Sequence, residues 1–272
     1  MLMGSKWKVD YQECSGPIDV AGLNNYDGVI FNLHPGIGNA MHSAPFATKA
    51  RQIGIYHDGP LVVPFDRWLF SDPSGNHYGD LRCIGRPLPD WNSKSQSIPE
   101  DETTIVGLSG LVGAWAPIMV ETVSNQIPEA RIRLHLASSD HCDPAGLVAN
   151  STGIQCQSIN KNVEVEYDFK TMDQMQVWLE GNNLNCYIRT PAPSSGISSA
   201  LDLAMAVRRP LAINNHPMFR HVAATSPEIC IENNNLMDIM AMGCSPTIKH
   251  RERNSRERVL GELEEAILSL FA

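Results

Sequence analysis

The sequence predicts an α/β protein of two domains, each a parallel sheet covered by helices, with an amphipathic helix closing the chain. Three observations predict it. From Thr104 to Ile213, short apolar runs alternate with segments of helical period, the pattern of strands threaded through helices. The stretch Asp90–Thr103 (DWNSKSQSIPEDET) is polar, proline-bearing and aperiodic, as a linker is. Beyond Asn254, apolar residues recur at helical spacing to the end of the chain. The domains are therefore placed at 1–92 and 104–250, with a linker over 93–103 and the closing helix over 251–272.

Each element has its own signal. In the first domain, Gly28–Leu33, Ile53–His57 and Trp68–Ser71 are apolar runs of strand length, with a helix around Ala40–Arg51 between the first two. In the second, Thr104–Leu108 reads as a strand, followed by a Gly/Ser turn and a helix from about Ala116 to Asn125. Arg131–Ala137 and Val163–Phe169 alternate as half-buried strands do. Thr171 and Gln174 form a capping-box pair that opens a helix ending near Asn182-Asn183. A strand at 184–188, a helix near 198–208 and a strand at 211–213 follow, with Glu228–Ile231 as a further strand candidate. Asn254 and Glu257 have capping-box spacing ahead of Val259, Leu260, Leu263, Ile267, Leu270 and Phe271.

Composition narrows the function classes. A formal charge of −9 argues against a nucleic-acid-binding surface, so any phosphate site must be local. The longest apolar runs fall short of a membrane span, and Met1–Asp10 lacks the apolar core of a secretory signal. The 7 cysteines form no Cys-x-x-Cys pair and sit largely in apolar runs, which suits buried thiols in a cytoplasmic protein.

The stretch Ser195-Gly196-Ile197-Ser198-Ser199 joins the strand 184–188 to the helix that follows. Such a turn leaves backbone N–H groups free at a helix N-terminus, where the macrodipole adds partial positive charge. Gly196 lets a ligand approach the backbone closely. The turn is either an anion cradle, with the Ser198 and Ser199 hydroxyls helping, or a plain strand-to-helix turn with serine as N-cap. Arg189, just past the strand, either presents its fork to phosphate oxygens at the same crevice or is a solvated strand-end charge. His57 ends a strand where parallel sheets bind ligands, and is otherwise satisfied at a domain interface. His34 ends the preceding strand, and Gly36-Ile37-Gly38 after it lacks the third glycine of a dinucleotide fingerprint.

Three other constellations carry less. His135, Asp140, His141, Cys142 and Asp143 are of metal-ligating types, but their spacing matches no structural site and a polar loop accounts for them. Gly107-Leu108-Ser109-Gly110 is not a nucleophile elbow, because Leu111 stands where the second glycine belongs. The basic run Lys249–Arg253, with Arg256 and Arg258, reads as a solvated face, and an anionic partner is the alternative.

From Ser195 to Pro210 (SGISSALDLAMAVRRP) the sequence resembles, without a gap, the motif of GT-B glycosyltransferases of the retaining group-1 type. Gly196, Ala204, Met205, Ala206 and Pro210 match that motif. Thr104–Ser109 with Gly110 and Gly113 looks like the family's glycine-rich first turn, and Ile55-Tyr56-His57-Asp58 is similar to its strand-end His-Asp. Gly85-Arg86-Pro87 sits where the family crosses to its second domain. The resemblance implies two Rossmann-like domains, GT-B-like, the first reduced by a strand–helix unit, with the closing helix packing across their junction. It implies a nucleotide-sugar donor as substrate, with no cofactor and no bound metal. Gly110, Ser195, Gly196, Ile197, Ser198, Ser199 and Asp202 would hold the donor, with His57, Asp58 and Arg189 acting on the sugar and the leaving diphosphate.

The sequence departs from the family at defined points. Ser195 and Leu203 stand where the family has its two motif glutamates, and leucine cannot accept a ribose hydroxyl. Asp202 is displaced by about 100° around the helix and would substitute only after a local shift. The family's Arg and Lys clamp has no clear counterpart between Ser109 and Val120, which leaves Arg189 to replace it. The implied function is sugar transfer from a nucleotide donor to an acceptor. The alternative is a non-catalytic glycosyltransferase-like protein that binds a nucleotide, a sugar or a protein partner. Exposed edges of a shortened first sheet would suit a homo-oligomer.

Overall fold

The structure is a computed structural model of the 272-residue chain. It describes residues 8, 10, 20–33, 48–56, 65–70, 82–89, 91, 103–111, 115–137, 147–191 and 197–272. The chain divides into two compact units, one of residues 1–87, 195–197 and 252–272, the other of residues 88–194 and 198–251.

The first unit holds a short helix α1 (Val20–Leu23) and four parallel strands, β1 (Gly28–Leu33), β2 (Arg51–Tyr56), β3 (Arg67–Phe70) and β4 (Arg82–Cys83), in spatial order β1-β2-β3-β4. Alternation along the strands assigns the two faces. Ile53, Leu69 and Ile84 point to one face. On the other, Phe31 and Phe65 stack with centroids 4.9 Å apart and Trp68 tilts against Phe65. A Cβ at Gly54 would lie 2.4 Å from the Phe65 ring, so the missing side chain is what admits these aromatics. The helix expected around Ala40–Arg51 falls largely outside the described residues. Its described end, Thr48–Ala50, is not helical, and Arg51 already belongs to β2.

The second unit threads β5 (Ile105–Leu111), α2 (Trp115–Gln126), β6 (Arg131–Ala137), α3 (Leu147–Ile159), β7 (Val163–Asp168), α4 (Met172–Glu180), β8 (Leu184–Tyr187), α5 (Ser199–Ala206) and β9 (Leu211–Ile213). All five strands are parallel, in order β7-β6-β5-β8-β9. Helices α2 and α3 pack together on one face. Helix α4 lies over the other, its Trp178 ring against His135 and Arg133 of β6. Thr171 caps α4 as its spacing predicts: Gln174 N–H donates to Thr171 Oγ1 (3.3 Å) and Thr171 N–H donates to Gln174 Oε1 (2.9 Å). Buried strand residues such as Val106, Leu108, Ile132, Leu134, Leu184 and Ile213 form one continuous core with the helices.

The chain then runs through α6 (Arg220–Ala223), α7 (Leu236–Met242), α8 (Ile248–Arg253) and α9 (Arg256–Leu268). The expected strand at Glu228–Ile231 is instead a 3-10 turn over Pro227–Ile229, with a single bridge from Cys230 to Ile213. The Ile229 and Cys230 N–H groups are taken inside the turn, by the carbonyls of Ser226 (3.3 Å) and Pro227 (3.1 Å), and so do not serve a ladder. The basic run 249–253 forms α8 itself, with His250 buried and Lys249 exposed. Helix α9 is capped by Ser255, which accepts from Arg258 N–H, rather than by Asn254. Asn254 Oδ1 is already engaged by Arg86 N–H at 2.9 Å. The apolar stripe of α9 seats Leu263, Ala266 and Ile267 on Ile53, Leu69 and Ile84, so the last helix covers that face of the first sheet.

Candidate functional site

A parallel sheet binds ligands outside the C-terminal ends of its strands, where the strand order reverses direction. In the second unit that point lies between β5 and β8, because β6 and β7 extend to one side and β8 and β9 to the other. Gly110 and Leu111 end β5, and Tyr187 ends β8, with Ile188 and Arg189 just past it. The Arg189 guanidinium sits over the Trp115 indole of α2, its Cζ 4.9 Å from the ring centroid. A Cβ at Gly110 would meet Trp115 Cζ2 at 2.9 Å and Arg189 Nη2 at 3.2 Å. Gly110 thus makes room for this stack.

Arg189 is half-buried, and burial pushes its pKa down, with only Tyr187 acting in the opposite direction. Among the described residues, no carboxylate forms an ion pair with it. Removing a cation from water without a counter-ion is costly, so a built position of this kind is suited to an anionic ligand.

The neighbouring segments are tied together by hydrogen bonds. Asn214, just past β9, accepts Arg189 N–H at Oδ1 (3.0 Å) and donates from Nδ2 to the Arg189 carbonyl (2.8 Å). His216 Nδ1 accepts Met218 N–H (3.2 Å), and Met218 in turn accepts Ser198 N–H (3.0 Å). Burial, then the nearby Arg189, lowers the His216 pKa, while the Thr190 main chain opposes them. His216 is therefore neutral at physiological pH, its Nδ1 kept as an acceptor.

The residues singled out from the sequence fall as follows. Gly110, Arg189, Ser198 and Ser199 all belong to the second unit, and Ile197 is half-buried in the first. Ser198 precedes α5 in extended geometry but its side chain makes no capping bond, so it is not the N-cap acceptor of a plain turn. Its N–H is taken by Met218, so the helix-terminus donors of α5 begin at Ser199. Asp202 is buried, with Oδ1 3.4 Å from the equally buried His221 Nε2. His57, Asp58, Ser195 and Gly196 lie outside the described residues, as do His34, Gly36-Ile37-Gly38, Gly113, Asp140, His141, Cys142 and Asp143.

Two sequence constellations resolve into structural roles. His135 links Ser109 Oγ (3.1 Å to Nδ1) to Asp168 Oδ1 (3.0 Å to Nε2) in a line across β5, β6 and β7. Burial, then Lys170, lowers the His135 pKa against the pull of Asp168. With Ser109 6% and His135 1% exposed, this Ser-His-Asp line satisfies buried polar groups inside the sheet. Among the described residues no group of histidine, cysteine and carboxylate side chains is arranged to hold a metal ion. Trp115, Asn214 and His216 escaped the sequence reading. Their signal was position alone, each flanking a strand end on the sheet's ligand edge.

No protein-family model and no curated protein matches the sequence. The structure, however, is similar to solved glycosyltransferases. A glycosyltransferase from Rickettsia africae aligns with TM-score 0.61 at 10% identity, covering 91% of this chain and 78% of that one. An α,α-trehalose 6-phosphate synthase from Burkholderia multivorans aligns with TM-score 0.58 at 10% identity, covering 92% and 72%. A UDP-forming α,α-trehalose-phosphate synthase from Burkholderia xenovorans, in complex with glucose-6-phosphate, aligns with TM-score 0.60 at 10% identity, covering 93% and 75%. Two parallel α/β sheets, the reversal between β5 and β8, and these alignments agree: the chain has the GT-B glycosyltransferase fold.

Proposed function

We propose that this protein transfers a sugar from a nucleoside-diphosphate donor, with the donor's diphosphate held at the switch-point crevice of the second unit. The observation that carries this reading is Arg189, a half-buried cation at the reversal of strand order with no carboxylate partner among the described residues. As the bond to the sugar breaks, negative charge grows on the departing diphosphate. A guanidinium already stacked and oriented stabilises that charge without reorganising. The N–H groups at the start of α5 supply further donors of the same sign. Charge stabilisation is thereby assigned to Arg189 and the α5 terminus rather than to a divalent cation. The GT-B fold is consistent with this chemistry, but the site carries the argument.

The test is thermal stability measured against nucleoside diphosphates and nucleotide sugars. A ligand at 100 times its Kd stabilises the fold by about 2.7 kcal/mol, a clear melting shift. A shift with one nucleotide sugar that disappears in Arg189→Ala is the expected result, followed by release of the nucleoside diphosphate on incubation. Binding without any turnover would instead make the chain a nucleotide-sugar-binding protein. If no nucleotide produces a shift, the reading fails.

A further inference from the structure

We propose that Asn214 is a positioning residue for Arg189, its carboxamide replacing two main-chain hydrogen bonds at the point where strand pairing ends. The inference rests on the reading of Arg189 as the anion contact.

The register of β8 and β9 shows which bonds are replaced. Asn185 pairs with Leu211 and Tyr187 with Ile213, Asn185 N–H donates to the Pro210 carbonyl (2.9 Å), and Asn214 N–H donates to the Tyr187 carbonyl (3.3 Å). A parallel ladder continued in that register would next give Arg189 N–H to the Asn214 carbonyl and His216 N–H to the Arg189 carbonyl. Neither bond forms, because His216 N–H turns back onto the Asn214 carbonyl at 2.8 Å and ends the strand. The side chain of Asn214 makes both connections instead, accepting Arg189 N–H at 3.0 Å and donating to the Arg189 carbonyl at 2.8 Å. A carboxamide is suited to this because it carries a donor and an acceptor side by side, as a peptide group does. The two main-chain partners also fix which end of the amide is which.

The consequence is geometric. Residue 189 keeps two main-chain hydrogen bonds, as a strand residue does, although β9 has already ended. Trp115 then supports the far end of the same side chain. Fixed at both ends, the guanidinium is oriented before any anion arrives.

Inorganic pyrophosphate, titrated calorimetrically into the full chain, tests the idea. Asn214→Ala is expected to weaken binding at least tenfold, although it removes no group that touches the anion. The double variant Arg189→Ala/Asn214→Ala is expected to bind no more weakly than Arg189→Ala alone, since Asn214 acts through Arg189. Asn183→Ala serves as the structural control. Asn183 is buried and, like Asn214, accepts a main-chain N–H, from Ile105 at 2.7 Å, but it stands at the opposite end of the sheet. Its loss should lower the melting temperature and leave pyrophosphate affinity unchanged. Wild-type affinity in Asn214→Ala, or losses that simply add in the double variant, would overturn the inference. Failure of the unaltered chain to bind pyrophosphate, or wild-type binding by Arg189→Ala, overturns the anion-site reading and this inference with it. Should Asn214→Ala not fold, amide exchange in the unaltered chain decides: protection of the Arg189 N–H equal to that of Tyr187 is expected, and free exchange refutes the clamp.

Discussion

Replacing Gly110 by alanine tests the packing on which the proposed site depends. The added Cβ would stand 2.9 Å from Trp115 Cζ2, 3.3 Å from Trp115 Cη2 and 3.2 Å from Arg189 Nη2. Comfortable carbon contacts begin near 3.5 Å, so the indole would have to retreat by roughly 0.6 Å. It has little space to do so, since Trp115 is 5% exposed and packed in the main core. The strain therefore falls on the indole, and the Arg189 guanidinium over that ring is displaced with it. Overpacking of this kind costs about 1–3 kcal/mol, and the displaced cation–π contact contributes about 1 kcal/mol of that change. A net loss near 2 kcal/mol lowers the melting temperature by roughly 4–8 °C in a domain of this size. Scanning calorimetry measures the first effect and pyrophosphate titration the second, and both are expected in the same variant. Gly153→Ala is the comparison, because within α3 its Cβ would sit 3.4 Å from Val165 of β7, an ordinary contact. There the substitution should stabilise the helix by about 0.5–1 kcal/mol. If Gly110→Ala melts with the wild type and binds pyrophosphate equally well, the role given to this glycine is refuted.

Stability should also fall with acid in a window set by two histidines. Burial lowers the pKa of both His135 and His216, with Lys170 and Arg189 as the respective second causes, so the folded chain binds fewer protons than the unfolded chain just below the ordinary value of 6.5. Their contribution is complete above that value and is lost as the pH drops through the lowered folded values. Glu166, brought down to about 2 because hydrogen bonds from Lys170, Trp178 and Arg133 outweigh the opposing effect of burial, keeps its contribution until the pH falls below 4.5. Urea midpoints that stay level between pH 7 and pH 5 would contradict the histidine assignment. At the end of α5, Arg208 has φ 53°, the left-handed conformation that costs an L residue about 1–2 kcal/mol. Allowing for the chain entropy of glycine, Arg208→Gly should stabilise the second unit by about 1 kcal/mol, and an unchanged or lower melting temperature would count against it.

Helix α3 shows where periodicity failed as a guide. Its buried positions are Ala149, Thr152, Gly153 and Cys156, small or polar residues at helical spacing, while Leu147 and Ile154 are each 70% exposed. An apolar-stripe argument reads such a helix inside out, and Leu147–Ile159 was not anticipated. Strands β5 to β9 were legible for the opposite reason. Strands β5, β8 and β9, buried on both faces, are apolar runs of their own, and β6 and β7 show the period-two alternation of half-buried strands, so each is recognised without its partner. The capping box of α4 was equally legible, since both of its hydrogen bonds join residues three apart. At the last helix the same spacing rule misplaced the cap by one residue. Asn254 is drawn instead to Arg86, a partner distant in the chain.

The site divides along the same line. The sequence by itself determined the alternation of strands and helices, the turn that joins β8 to α5, and Arg189 as a cation at a strand end. Those follow from patterns confined to neighbouring residues, which local sterics and solvation impose. Tertiary structure alone decided that Arg189 lies on Trp115 over Gly110, that Asn214 clamps its main chain, and that Ser198 gives its N–H to Met218. It also decided that Asp202 turns inward beside His221 and that α9 covers the first sheet. Each of these joins residues brought together only when separate elements pack, and a contact of that kind leaves no periodic trace in the chain.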